Sequence, residues 1–254
     1  MAKRLGIIQS RGLGDIVIAL PIALHYHEQG YHVHWPIAEN FIAHFRDHVP
    51  WVKWIPLTVD SGAYFYDTPY QRLRNFGCDP IICLYQALTG HPELTQRPEF
   101  QITKFDQIKY SEAGVCFLDK WRLNECITRD RTEELRLYQT LCKPNKAYCV
   151  LHLEGSDHRA EFDTDCIPAE YDQILVTEDK TQSIFNWLTI LENSEVIVCV
   201  DSVIANMVDQ MGIQKRVESY LIPRSHIQLT PVLNGPWHTV EPNPATQQRI
   251  RLFQ

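Results

Sequence analysis

Apolar and polar positions along this chain fall into blocks that repeat a strand-then-helix rhythm. Residues 4–9 form a short apolar run, 15–29 carry apolar positions at helical spacing, Gly30 is a natural helix stop, and 31–35 alternate as Tyr-His-Val-His-Trp. That order predicts a βαβ unit. Apolar runs at 52–55 and 80–85 predict further strands, with turn-rich sequence at 60–62 and 75–80 between them. The polar, proline-containing stretch 88–101 predicts an exposed loop. From residue 105 the pattern turns helical, through 105–116, 119–121 and the charged 129–141, where Glu133, Glu134 and Arg136 read as a solvated helix face.

Lys143-Pro-Asn-Lys146 breaks that run and a second strand-helix series begins. Strands are predicted at 147–153, 173–177, 196–200 and 216–222, with helices near 181–193 and 202–210, the latter ended by Gly212. Alternating strands and helices imply parallel sheets with ligands at the carboxyl ends of the strands. The expected division is 1–143 and 144–254, with the natural site in the cleft between the halves. The segment 242–254 is helix-compatible and is expected to pack back on the first half.

Composition narrows the classes. The 254 residues are 44% apolar and 22% charged, an ordinary globular balance. A formal net charge of -7 and a pI near 5.9 give no general basic field, which favours a small or neutral substrate over non-specific nucleic-acid binding. No apolar run approaches the roughly 18 residues of a membrane span. The N-terminus shows no signal-peptide profile, so a soluble cytoplasmic protein is expected. Eight cysteines without a C-x-x-C pair read as free, mostly buried thiols. The early histidines His25, His27, His32 and His34 lack carboxylates to complete a site, so no metal is expected there.

Two segments carry candidate chemistry. After the first strand, Gly12 and Gly14 let the backbone turn sharply and approach a ligand. Asp15 follows them at a helix start, where the dipole favours a carboxylate; it reads either as a helix cap or as a catalytic base. A dinucleotide-binding loop is disfavoured, because Val17 replaces the third glycine and Asp15 would repel a pyrophosphate. In the second half, the apolar run 196–200 leads into Asp201-Ser202 at another helix start. Such a start can hold a phosphate or diphosphate on its N-H groups, or the two side chains can simply cap it. Ser156 and Arg159 in the loop 154–159 and Lys180 after the next strand add polar and cationic groups to the same rim. Asp163-Thr-Asp165 matches the D-x-D pattern of metal-dependent sugar transferases, a three-residue match that arises readily by chance.

Ser10-Arg-Gly-Leu-Gly-Asp-Ile-Val-Ile-Ala-Leu-Pro21 resembles the opening of the bacterial heptosyltransferase-type glycosyltransferases, a GT-B group with two facing Rossmann-like domains. Val200-Asp201-Ser202-x-x-Ala205-Asn206 resembles their donor-domain motif, although Asn206 stands where that family commonly has histidine. The resemblance implies an α/β GT-B chain with an acceptor-side first domain and a donor-binding second one. It implies a metal-independent transferase without a cofactor, moving a sugar from a nucleotide-diphosphate sugar to an acceptor hydroxyl. Asp15 would be the base. Gly12, Gly14, Ser156, Arg159, Lys180, Asp201, Ser202 and Asn206 would serve the donor, and Arg11, Tyr66 and Arg72 the acceptor. The acceptor would be a surface glycan of the lipopolysaccharide type. An alternative is a hydroxymethylated DNA base, as in phage modification, stacked among Tyr64, Phe65, Tyr66 and Tyr70 with Arg72 and Arg74 on its phosphates. Those aromatics read equally as core packing. A third alternative is a non-catalytic nucleotide-sugar binding protein, in which Asp15 is only a cap.

Overall fold

Leu5, Ile7 and Ile8 of β1 (Lys3–Ile8) are fully buried, as expected of a strand covered on both faces. This computed structural model describes residues 3–58, 62–85, 104–155, 159–160, 162–164, 167–223 and 231–240. The expected loop at 88–101, the segment 242–254, Ser156 and Asp165 lie outside them. The chain divides into two compact units, Met1–Thr128 and Arg129–Gln254.

In the first unit β1 is followed by α1 (Leu13–Glu28), β2 (Tyr31–Ala38), α2 (Ile42–Phe45), β3 (Lys53–Leu57), α3 (Asp67–Asn75), β4 (Ile81–Cys83), α4 (Phe105–Glu112) and α5 (Leu123–Cys126). The sheet order is β3-β2-β1-β4, every pair parallel. The chain therefore winds outward from β1 to β3 and returns to β4 on the other side of β1. In such sheets the carboxyl ends of the strands at that reversal, here β1 and β4, are the usual ligand position. Gly6 allows the close packing beneath it, since a Cβ there would meet Leu73 of α3 at 2.8 Å.

Residues Ile16 to Leu24 of α1 are all buried, so this helix is enclosed on every side rather than amphipathic. Pro21 sits in its interior and has no N-H for the preceding turn. The buried Tyr110 hydroxyl of α4 donates to the Ile18 carbonyl at 2.9 Å, tying α4 to α1.

The second unit contains α6 (Arg131–Leu141), β5 (Tyr148–His152), β6 (Asp172–Leu175), α7 (Leu188–Glu192), β7 (Val196–Val200), α8 (Val203–Gln210), β8 (Glu218–Ile222) and the short β9 (His238–Thr239). Its parallel sheet runs β6-β5-β7-β8-β9. Here the reversal lies between β5 and β7. The segment expected as one helix at 181–193 is instead a 3-10 turn, Ile184–Trp187, followed by α7.

The two units divide at 128/129, which groups α6 with α7 in the second unit. Glu133 and Arg136 pair on the solvated face, but Glu134 departs from that reading: it is fully buried, paired with Arg129 and accepting from Thr189 Oγ1 at 2.6 Å. Arg129 also reaches Glu192 at 2.7 Å. The charge run thus holds one helix against another. Asp209 of α8 accepts from Asn234 N at 2.7 Å and Trp237 Nε1 at 3.1 Å, fixing the chain that leads into β9.

Candidate functional site

In the first unit, β1 runs into Gln9-Ser10-Arg11-Gly12 at the reversal beside β4. Gly12 has φ +80° and is the residue before α1, whose helical turns begin at Leu13. Asp15 therefore sits within the first turn, and no side chain caps this helix. It makes no capping hydrogen bond, although a carboxylate in the first turn still suits the helix dipole. A Cβ on Gly12 would collide with Oδ2 of Asp15, so the carboxylate folds back over the bare glycine.

The other carboxylate oxygen has a cationic partner that the sequence did not point to. Lys109 Nζ of α4 lies 3.2 Å from Asp15 Oδ1, and donates to Gln9 Oε1 at 2.6 Å and to the Leu84 carbonyl at 3.2 Å. The lysine side chain is 7% exposed and the aspartate side chain 36%. Gln9 is fixed in turn by donating to the Arg11 carbonyl at 2.7 Å. Tyr85, just after β4, accepts from Arg11 N at 2.8 Å and lies 3.2 Å from Ser10 Oγ. Burial pushes its phenol up to about 12, so it remains protonated at neutral pH.

Of the residues expected around an acceptor, Arg11 has its backbone tied to Tyr85 while its side chain is exposed. Tyr66 stacks on Tyr70 at 5.5 Å and packs with Tyr85 on the cluster of Ile8, Ile55, Leu73 and Cys78. It is part of the core wall. Phe65 meets Tyr85 edge-on at 5.4 Å, carrying that aromatic wall to the carboxyl end of β4. Arg72 is exposed on α3, Gly14 is the second residue of α1, and the Tyr64 side chain lies outside the described residues.

In the second unit the strand ends at the reversal are His152 of β5 and Val200 of β7, the latter followed by Asp201 and Ser202. Ser202 precedes α8 but does not cap it: its Oγ is 2.9 Å from His152 Nδ1. Asp201 is buried, its backbone N bonded to the Ile222 carbonyl at 3.0 Å. Asn206 turns its amide N to the Ser202 carbonyl at 2.9 Å, and its Oδ1 is buried without a hydrogen-bond partner among the described residues. Burial lowers the His152 pKa to about 4, so the ring is neutral at pH 7. Asp201, Ser202 and Asn206 are thus brought together with His152. Arg159 stands in an isolated bridge to Glu154, and Lys180 is paired with Asp179 at 2.9 Å.

No family model and no curated protein matches the sequence. Solved structures do match. A glycosyltransferase family 9 structure from Veillonella parvula superposes with a TM-score of 0.61 at 11% identity, covering 95% of this chain and 88% of that one. The chain has the GT-B glycosyltransferase fold. The same fold relates it to the E. coli ADP-heptose LPS heptosyltransferase II, with TM-score 0.54, 10% identity and coverage of 94% and 90%. An E. coli heptosyltransferase solved with ADP-2-deoxy-2-fluoro heptose gives TM-score 0.50 at 11% identity, covering 93% and 92%. At such identities the likeness speaks for architecture. In this GT-B chain each parallel sheet carries a polar cluster at its own point of reversal. No helix among the described residues is long and apolar enough to cross a membrane, and no group of histidine, cysteine or acidic residues there is arranged to hold a metal ion.

Proposed function

We propose that this protein is a glycosyltransferase that moves a sugar from a nucleotide-diphosphate sugar to an acceptor hydroxyl, with Asp15 as the base and the Asp201-Ser202-Asn206 cluster on the donor. One observation carries the reading: Asp15 makes no capping hydrogen bond, and only one of its oxygens faces the buried Lys109. Its carboxylate is held over a glycine at the sheet's reversal and remains partly open to solvent. In the reaction a bond forms between the acceptor oxygen and the anomeric carbon while the bond from that carbon to the diphosphate breaks. The acceptor proton passes to Asp15, and the nucleoside diphosphate leaves with the electron pair. Backbone N-H groups at the start of α8, which Ser202 does not cap, suit the growing negative charge of that leaving group. No step calls for a divalent cation.

The family 9 neighbours support this class of chemistry, and the structure solved with an ADP-heptose analogue makes ADP-activated sugars the first donors to test. Asp15→Asn separates a transferase from a binding protein. Turnover should fall at least about 100-fold, as removal of a general base usually costs, while donor affinity stays within about threefold. Unchanged turnover would overturn Asp15 as the base, and donor binding with no transfer in the wild type would favour a binding role.

A further inference from the structure

We infer that Lys109 is a positioning residue for Asp15: its ammonium engages Oδ1 and so fixes Oδ2 over Gly12 as the oxygen that receives the acceptor proton. This rests on the reading of Asp15 as the base. The ammonium donates to Gln9 Oε1 at 2.6 Å and to the Leu84 carbonyl at 3.2 Å, and forms an ion pair with Asp15 Oδ1 at 3.2 Å. Both neutral acceptors are themselves anchored. Gln9 bonds the Arg11 carbonyl, and Leu84 N bonds the Ile8 carbonyl at 2.9 Å within the sheet. The rings of Phe105 and Tyr85 stand 5.7 Å and 5.9 Å from Nζ. The lysine is therefore a fixed point tied to the ends of β1 and β4.

The asymmetry of the pair argues for more than stability. A 7% exposed ammonium faces a 36% exposed carboxylate, so the cation bears the desolvation while the anion keeps access to solvent. A buried charge of this kind adds little to folding compared with an apolar side chain of similar size. What it does supply is orientation. Asp15 has two torsions free to turn its carboxylate outward, and a base displaced by about 1 Å can lose on the order of 100-fold in rate.

A double-mutant cycle tests this on the intact protein, using as donor whichever of ADP-heptose and the ADP-, UDP-, GDP- and CDP-hexoses stabilises the wild type. Lys109→Met keeps the side-chain volume and removes the ammonium; Lys109→Arg keeps a cation. In the wild-type background Lys109→Met should lower kcat roughly 30- to 100-fold with KM for donor within about threefold, and Lys109→Arg should recover a good part of that loss. In the Asp15→Asn background Lys109→Met should cost less than about threefold, because the lysine acts through the carboxylate. Crystal structures should show Asp15 turned away from Gly12 in the methionine variant and in place in the arginine variant. Equal losses in both backgrounds, or an unmoved Asp15 in Lys109→Met, would overturn the inference alone. Turnover indifferent to Asp15→Asn would overturn the reading of the base and the inference with it. Should the methionine variant not fold, the arginine variant still decides: a kcat loss as large in the Asp15→Asn background as in the wild-type one would contradict the positioning role.

Discussion

Asp15 can lie where it does only because residue 12 has no side chain. A Cβ on Gly12 would meet the carboxylate and would also have to occupy φ +80°, a region that costs other residues about 1 kcal/mol or more. Gly12→Ala should therefore lower stability by roughly 1–2 kcal/mol in urea titration and reduce turnover out of proportion to that loss. His152 makes a separate, pH-dependent prediction. Its folded-state pKa of about 4 lies below the unfolded value of about 6.5, so the unfolded chain binds the proton first. Stability should be unaffected by this residue above about pH 6.5 and fall by about 3 kcal/mol as the pH drops toward 4. Chemical denaturation of the wild type and His152→Gln across that window checks it. The variant should lack that part of the slope.

At the scale of elements, the patterns that repeat locally were readable and those that depend on distant partners were not. The run 4–9, the helical spacing after it and the alternation at 31–35 gave β1, α1 and β2 within a few residues, since period and stop signals are local. Gly12, Asp15 and Asp201-Ser202 were visible for the same reason: each sits at a strand-to-helix junction. Lys109 was not. It lies on a helix face with nothing nearby in sequence to reveal that β1 and β4 supply its partners. His152, closing the apolar run Tyr148-Cys-Val-Leu-His152, carried a clue, because a polar residue at a strand's carboxyl end often faces a ligand crevice. Within the charged run 129–141, Glu133 and Arg136 are solvated as read, but Glu134 misled for the converse reason: it looks solvated until α6 docks on α7. Arg129→Met would leave that buried carboxylate without its main cation and should cost about 3 kcal/mol in global stability. A loss below about 1 kcal/mol would mean that the network contributes little to holding α6.

At the scale of the molecule, two parallel α/β units each gather their polar residues where strand order reverses, and the fold is one that glycosyltransferases use. The first unit presents a carboxylate over a glycine; the second presents a helix start whose serine is held by a buried neutral histidine. These two features, each within its own unit, together with the fold, are the basis for the proposal of a sugar-nucleotide enzyme. The most direct test is thermal unfolding of the wild-type protein against ADP-heptose, the ADP-, UDP-, GDP- and CDP-hexoses, and NAD. Binding at about 100 times Kd adds roughly 2.7 kcal/mol, which for a chain of this size raises Tm by about 5 °C or more. The account predicts such a rise with at least one nucleotide-diphosphate sugar and none with NAD. A rise with NAD and with none of the sugar nucleotides would contradict it.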